Sequence, residues 1–296
     1  MIKNTIYLLV LTVVLAIAAM IILQEPSEKN LQVAERGKLV DFDSSAIDKI
    51  ELWNKNGFVS AIKTDGIWTL DKPLKYIANR GMIANALNMC SNMHVKNIVT
   101  SQQEKHNKFA VDTAAVQIKF WDGEELQAHV FIGKSGAGFN DSYVRLAESD
   151  EVALVSGPLA YAFTGYVSAW RDRILFEVPK DKIREIEFKS SNNSYSLIKN
   201  DGDWTIDGEE TDSASTATIV NLLSKFYVDD FLDEDPKIVP GYYATIVFND
   251  IKLDFYKPEL ERKYLIKKDD SKMWFVLNQS KTDMLLKAKN TLLKKQ

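Results

Sequence analysis

Lys63–Leu70 reads KTDGIWTL and Lys199–Ile206 reads KNDGDWTI, so Asp-Gly, one residue, then Trp-Thr occurs twice, 136 residues apart. Asp-Gly suits a two-residue hairpin turn, because both central residues take positive φ and Gly does so without strain. Sliding the chain by 136 lays Ile47–Leu70 over Ile183–Ile206 without a gap, and 11 of the 24 pairs are identical. The match continues at falling offsets. Asn88–Val99 lies over Asn221–Leu232 at 133, Ile118–Asp122 over Ile246–Asp250 at 128, and Tyr143–Val155 over Tyr264–Val276 at 121. The second copy has therefore lost residues in three places, each between periodic segments where a loop tolerates deletion.

The periods predict the local structure of each copy. Short runs such as Ile47, Ile50, Leu52 and Val59, Ala61, Ile62 are punctuated by Asn56-Gly57 and Asp65-Gly66 and read as strands. Met82, Ile83, Ala86, Leu87, Cys90 and Met93 recur at three- and four-residue steps and read as a helix. The second copy offers Ile219, Leu222, Leu223, Phe226 and Tyr227 after Thr211-Asp212-Ser213, which can cap a helix. Further strands follow, and closing helices are expected from Pro158 to about Arg171 and from Ser280 to about Lys295. Short Gly-containing turns leave no room for crossovers, so the pairing reads as antiparallel. The expected class is α+β: an N-terminal transmembrane helix, then two tandem repeats, each of β-meanders with a packed helix and a closing helix. The expected segments are an anchor at 1–24, a polar stalk at 25–40, a first lobe at 41–176 and a second at 177–296. Trp68 and Trp204 are expected to lie largely buried against Leu87 and Leu222.

Thr5–Leu23 is 19 residues without a charge, which as a helix spans close to the ~30 Å hydrocarbon core. Signal-peptide apolar regions are shorter, about 7–15 residues, and no lipobox-like Cys follows. Lys3 precedes the span, while Glu25 and Glu28 follow it. That bias places the N-terminus in the cytoplasm and the body outside, on the inner membrane. The chain of 296 residues has net charge −4, which argues against a general nucleic-acid binder, and a single Cys90, which excludes an internal disulfide and a Cys-based metal cluster.

With an N-terminal anchor, the Asp-Gly-x-Trp hairpin, FAVD (Phe109–Asp112), Ile132-Gly133 before a YVR strand, and WRDR (Trp170–Arg173), the chain resembles the family catalogued as domain of unknown function 4340 over about residues 40–296. Members are often encoded beside ABC-transporter genes, and some relatives resemble auxiliary components of gliding-motility-type ABC systems. The resemblance thus implies an envelope accessory role with ABC-transporter subunits as partners. It carries over no catalytic residues.

The candidates for chemistry are few. Cys90 and His94 are four apart on the expected helix, but their repeat partners are Leu223 and Tyr227, which marks packing positions. His106 and His129 are isolated and read as surface or strand residues. GKSGAGFN (Gly133–Asn140) lacks the first Gly of a phosphate loop and precedes a strand rather than a helix. It does span a place where the second copy lost residues, which makes Gly133, Lys134, Ser135 and Asn140 candidates for partner contact. Trp170, Arg171 and Arg173 read as a joint between lobes or a docking patch. The acidic run DDFLDEDP (Asp229–Pro236) lacks the ligand spacing of a calcium loop. No cofactor, metal or catalytic constellation is expected. The reading is a membrane-anchored extracytoplasmic accessory or binding module, not an enzyme. Its alternatives are an envelope hydrolase acting on a polymer or lipid, and a purely structural scaffold.

Overall fold

The structure, a computed structural model, describes residues 36–138, 140–163, 165–191, 194–257, 262–269 and 271–294. The expected anchor at residues 5–23, and the stalk up to residue 35, lie outside the described residues. Among those described, no helix is long and apolar enough to cross a membrane.

In chain order the first part runs β1 (Arg36–Lys38), β2 (Lys49–Asn54), β3 (Gly57–Thr64), β4 (Ile67–Lys72), β5 (Tyr76–Ile77), α1 (Arg80–Ser91) and β6 (His94–Thr100). It continues with α2 (His106–Phe109), β7 (Val116–Asp122), β8 (Glu125–Ser135), β9 (Asp141–Leu146), β10 (Val152–Ser156) and α3 (Leu159–Ala162). The second part runs β11 (Ile174–Glu177), β12 (Glu185–Ser190), β13 (Ser194–Asn200), β14 (Asp203–Ile206), β15 (Glu209–Glu210), α4 (Ser213–Ser224), β16 (Lys225–Tyr227) and β17 (Asp230–Leu232). Last come β18 (Gly241–Phe248), β19 (Ile251–Lys257), β20 (Lys263–Lys268), β21 (Trp274–Asn278), α5 (Gln279–Leu285) and α6 (Lys289–Leu292).

The chain packs as two compact units. Of the described residues, one comprises those up to Lys55 with Asn85–Gly165, and the other comprises Asn56–Ala84 with those from Tyr166 onward. In the first unit the strand order is β1-β6-β10-β9-β8-β7-β2. In the second, one run is β3-β4-β5 and another is β17-β21-β20-β19-β18-β12-β13-β14-β15. Replacing each strand by its repeat partner turns β6-β10-β9-β8-β7-β2 into β17-β21-β20-β19-β18-β12, and β3-β4-β5 into β13-β14-β15. The duplication seen in the sequence is thus a duplication of topology.

The α+β class expected from the sequence is corrected. The fold is mainly β with antiparallel sheets, and among the described residues only α1 and α4 run to 12 residues. The closing helices break up. Pro158–Arg171 yields the four-residue α3 and a 3₁₀ turn at Val167–Trp170, while Ser280–Lys295 yields α5 and the four-residue α6. The physical reason is competition for main-chain groups. The Trp170 carbonyl accepts from Asn79 N at 2.7 Å, and the Leu292 carbonyl accepts from Asp212 N at 2.7 Å. Bridges Ala78–Arg171 and Thr211–Leu293 continue each pairing. The end of each copy therefore leaves the helix to lie, strand-like, beside the residues that precede that copy's packed helix.

Those residues also cap the helices. Asn79 Oδ1 accepts from Gly81 N at 2.9 Å, and Asp212 Oδ1 accepts from Ser215 N at 2.8 Å. The buried faces then coincide across the repeat: Ile83/Thr216, Ala86/Ile219 and Cys90/Leu223 are all at most 3% exposed. In the second unit Ile219 and Leu223 pack on alternate strand residues, among them Ile186, Phe188, Ile246, Phe248, Leu253 and Phe255. In the first, Ile50, Leu52, Ile118, Phe120, Val130 and Ile132 are buried at the same period of two.

The hairpins behave as turns. Asp65 and Gly66 have φ of 51° and 78°, and Asp201 and Gly202 have 48° and 105°. The tryptophans correct the expected burial. Trp68 and Trp204 are half-buried, and the residues that close each hairpin onto the core are Leu70 and Ile206, at most 1% exposed. Each Trp sits next to the turn, beyond the edge of full coverage. Accordingly, Leu70→Ala costs about 2–5 kcal/mol of stability, while Trp68→Ala and Trp204→Ala each cost less than the ~3–5 kcal/mol of a fully buried ring. Asp65→Asn stays within about 0.5 kcal/mol because Asn also accepts positive φ. Thermal and urea unfolding of the four variants measures the order.

Candidate functional site

Three of the family-type motifs, FAVD, Ile132-Gly133 and the YVR strand, meet one another in the first unit. Gly133 ends the buried stretch of β8, and a Cβ built on it falls 2.2 Å from the Phe109 carbonyl oxygen and 2.7 Å from Val111 Cγ1. Only Gly lets FAVD lie against that strand. The Phe109 ring meets Tyr143 at 4.8 Å, and the YVR arginine, Arg145, donates through Nε to the Val111 carbonyl at 3.1 Å. Arg145 Nη1 donates to the carbonyls of Leu146 and Ser149 at 3.0 and 3.2 Å, and the guanidinium lies 4.2 Å from the Phe131 ring centre. Desolvation, opposed by Asp150 and Asp112, lowers its pKa. The motif is a buried cation used to tie off main-chain carbonyls.

Lys134, Ser135 and Asn140 are exposed. Gly133, Lys134 and Ser135 border a shallow hollow of about 580 Å³ with Asn107, Asp112 and Tyr161, and Asn140 is not among its lining residues. The segment after Gly133 is the end of β8 and leads into β9, so the element that follows it is a strand rather than a helix. Cys90 and His94 point apart: Cys90 is buried, with burial pushing its thiol far above the usual range, and His94 is exposed. His106, expected at the surface or in a strand, instead begins α2 and is 7% exposed, and its Nε2–H donates to the Asp150 carbonyl at 3.0 Å. His129 is half-buried 3.2 Å from Gln117 Oε1; burial, then Lys119 and Arg145, lowers its pKa. Among the described residues no three His, Cys, Asp or Glu side chains group as metal ligands.

WRDR lies in the second unit. Trp170 is 2% and Arg171 0% exposed, so neither is presented for docking, whereas Arg173 is exposed. Arg171 Nη1 is 2.5 Å from Asp233 Oδ1, and its guanidinium lies 5.1 Å from the Phe231 ring centre. That approach is a charge contact rather than a directed hydrogen bond: among the described residues Nε, Nη1 and Nη2 have no hydrogen-bond partner.

The next residue, Asp172, opens onto a cleft of about 860 Å³. Its apolar walls include Ile62, Leu70, Ile77, Ile174, Met273 and Phe275, and its polar rim includes Asp71, Lys75, Tyr76, Asp172, Lys268 and Asp269. Two of the carboxylates are already turn-shaping acceptors. Asp172 Oδ1 accepts from Ile174 N at 3.0 Å, and Asp269 Oδ1 accepts from Lys252 N at 2.8 Å while its other oxygen pairs with Lys268. Burial, reinforced by Asp172 and opposed by Arg171, raises the Tyr76 hydroxyl pKa, so it stays a neutral donor at ordinary pH. The arrangement is a recess with apolar walls and fixed polar groups. The sequence reading named Arg171 beside it but missed Tyr76, Ile77 and Met273, which no motif marks and which only the fold brings together.

The buried cation yields an asymmetric expectation. Asp233→Ala strands the Arg171 charge and costs about 3–5 kcal/mol, whereas Arg171→Met removes three unpartnered donors and leaves half-exposed Asp233 to water, changing stability by less than ~1 kcal/mol. Urea unfolding of both variants checks this, and equal losses count against it. In the first unit, Gly133→Ala forces FAVD off β8 and lowers the melting temperature.

No curated protein and no solved structure matches the chain. The family model described as domain of unknown function (DUF4340) matches residues 68–240, a span that holds the first Asp-Gly-x-Trp tryptophan, FAVD, Gly133, Arg145 and WRDR. The chain belongs to the DUF4340 family.

Proposed function

We propose that the chain is an extracytoplasmic binding or accessory module of an ABC-transporter or envelope complex, held at the inner membrane through residues 5–23 and without catalysis of its own. The observation that carries the reading is how the family motifs are used. Gly133, Arg145, Trp170 and Arg171 hold main chain and aromatic rings in place, and two carboxylates of the cleft that Asp172 opens onto, Asp172 and Asp269, shape turns. What this scaffold presents is a cleft with apolar walls and a fixed polar rim, a surface suited to holding a partner's side chains. The 19-residue apolar stretch and the Lys3-to-Glu25 charge bias support the membrane tether and its orientation.

The test is crosslinking and pull-down from native membranes. Recovery of ABC-transporter subunits with the native chain is expected, with loss of that recovery in Ile77→Asp or Met273→Glu and retention in Asp172→Asn, all checked for unchanged melting. Recovery independent of the cleft, or hydrolysis of envelope polymer or lipid that Asp172→Asn abolishes, overturns it. Separately, protease added to intact spheroplasts is expected to remove the body; full protection refutes the orientation.

A further inference from the structure

Among the described residues, four of the twelve exposed large apolar side chains fall within six positions at the end of the β17–β18 loop and the start of β18: Ile238 at 85% exposed, Val239 at 60%, Tyr242 at 49% and Tyr243 at 39%. The two tyrosines are held from behind. Tyr242 meets Tyr256 edge-on at 6.2 Å and shares a 2.9 Å hydrogen bond with Thr245 Oγ1, and Tyr243 meets Tyr264 edge-on at 5.3 Å. Ile238 and Val239 precede this braced pair and are exposed among the described residues. A contiguous exposed apolar segment marks a contact surface.

Charge around the loop favours one kind of contact. Lys257 lies 5.6 Å from the Tyr243 ring centre, and Lys237 adjoins Ile238. Beside the tyrosines is a hollow of about 370 Å³ whose lining residues include Lys189, which pairs with Glu187 at 2.5 Å, and Lys287, which donates to Ser215 Oγ at 2.9 Å. In the acidic run just upstream three of the five carboxylates are partnered, Asp229 with Lys281 at 3.1 Å, Asp233 with Arg171 at 2.5 Å, and Asp235 as acceptor from Trp274 Nε1 at 2.8 Å, although Asp230, Asp233, Glu234 and Asp235 remain exposed. An aliphatic tip backed by tyrosines and flanked by lysines is the composition of a segment seated at a bilayer interface, where rings lie at headgroup level and lysines reach phosphates.

We propose that Lys237–Tyr243 is a second point of attachment to the membrane, with Ile238 and Val239 entering the lipid and Tyr242 and Tyr243 at headgroup depth. The proposal rests on the reading that residues 5–23 hold the chain at the bilayer. Only residues 24–35 separate that stretch from Arg36, so the start of the body stays within about 40 Å of the lipid at ~3.3–3.6 Å per residue. A weak second contact becomes effective at such enforced proximity.

The test uses the full chain in vesicles of phosphatidylcholine with and without phosphatidylglycerol. An environment-sensitive fluorophore is attached at Ile238→Cys or, as a control, at exposed Glu124→Cys; Cys90 is buried, and the otherwise unaltered chain serves as the labelling blank. The expected result is a blue shift at position 238, with loss of its emission when acyl-chain-quencher lipids are included, and neither change at position 124. Val239→Glu in the same labelled chain is expected to abolish both. A chain that stays in the bilayer through alkaline extraction but shows no quenching at 238 overturns the proposal and leaves the tether intact. Quenching at 238 in a chain that alkaline extraction releases supports the loop and overturns the tether. A blue shift without lipid quenching signals a protein partner or a second copy and overturns the proposal, as does a chain that does not float with vesicles at all.

Discussion

Everything in each copy hangs on one pair of main-chain hydrogen bonds around the residue before the packed helix. In the first copy Ala78 N donates to the Trp68 carbonyl at 3.0 Å and Asn79 N to the Trp170 carbonyl at 2.7 Å. In the second, Thr211 N donates to Trp204 and Asp212 N to Leu292, at 3.2 and 2.7 Å. The segment Tyr76–Asn79, like its counterpart, is thereby held from two sides, by the hairpin that carries the Trp and by the last residues of the copy. A buried main-chain donor left unpaired is costly, so these bonds fix where the helix begins and which face it turns inward. The same stitch explains why the first copy's hairpin packs in one unit with the chain from Tyr166 onward.

That constraint also separates what the sequence disclosed from what it hid. The Asp-Gly turns, the helices around Cys90 and Leu223, and the duplication were legible because each is written locally, in a turn dipeptide or a period of 3.6 or 2. The closing segments were not. Pro158–Arg171 has helical spacing of apolar residues, but its final residues are claimed by Asn79, some 90 positions earlier, and a non-local hydrogen bond leaves no local signature. The burial of His106 was hidden for the same reason, since its partner is the carbonyl of Asp150. The tryptophans were over-read: indole size suggested a full core position, whereas the hairpin's own length places them next to the turn and gives the core to Leu70 and Ile206.

The motif residues were legible as a family but not as chemistry. Arg171, read from the sequence as part of a joint or docking patch, and Arg145 of the YVR strand both prove to be buried. Their repeat positions show how such a role arises. At the 121 offset Arg145 lies over Ile266, and the matching bridges set Arg171 over Leu293. The scaffold therefore accepts an aliphatic side chain at either place. In the first copy Arg145 satisfies the carbonyls of the FAVD connection, which the shorter second copy lacks in that form, so the guanidinium is tied to a local elaboration of the fold.

Arg171 is the harder case, because its side chain is fully buried where Leu293 is only half-buried, and its donors find only Asp233. An aliphatic residue at the equivalent place leaves nothing to satisfy, so on stability alone Leu is the better choice there. The charge does one thing Leu cannot. It draws the acidic run onto the back of Phe231, whose ring meets Tyr76 of the cleft at 5.3 Å. Arg171 thereby links two surfaces that the repeat alone does not supply, the polar rim of the recess and the run that leads into Ile238. The first copy's departure from the common plan thus falls where the fold turns from holding itself together to presenting a surface.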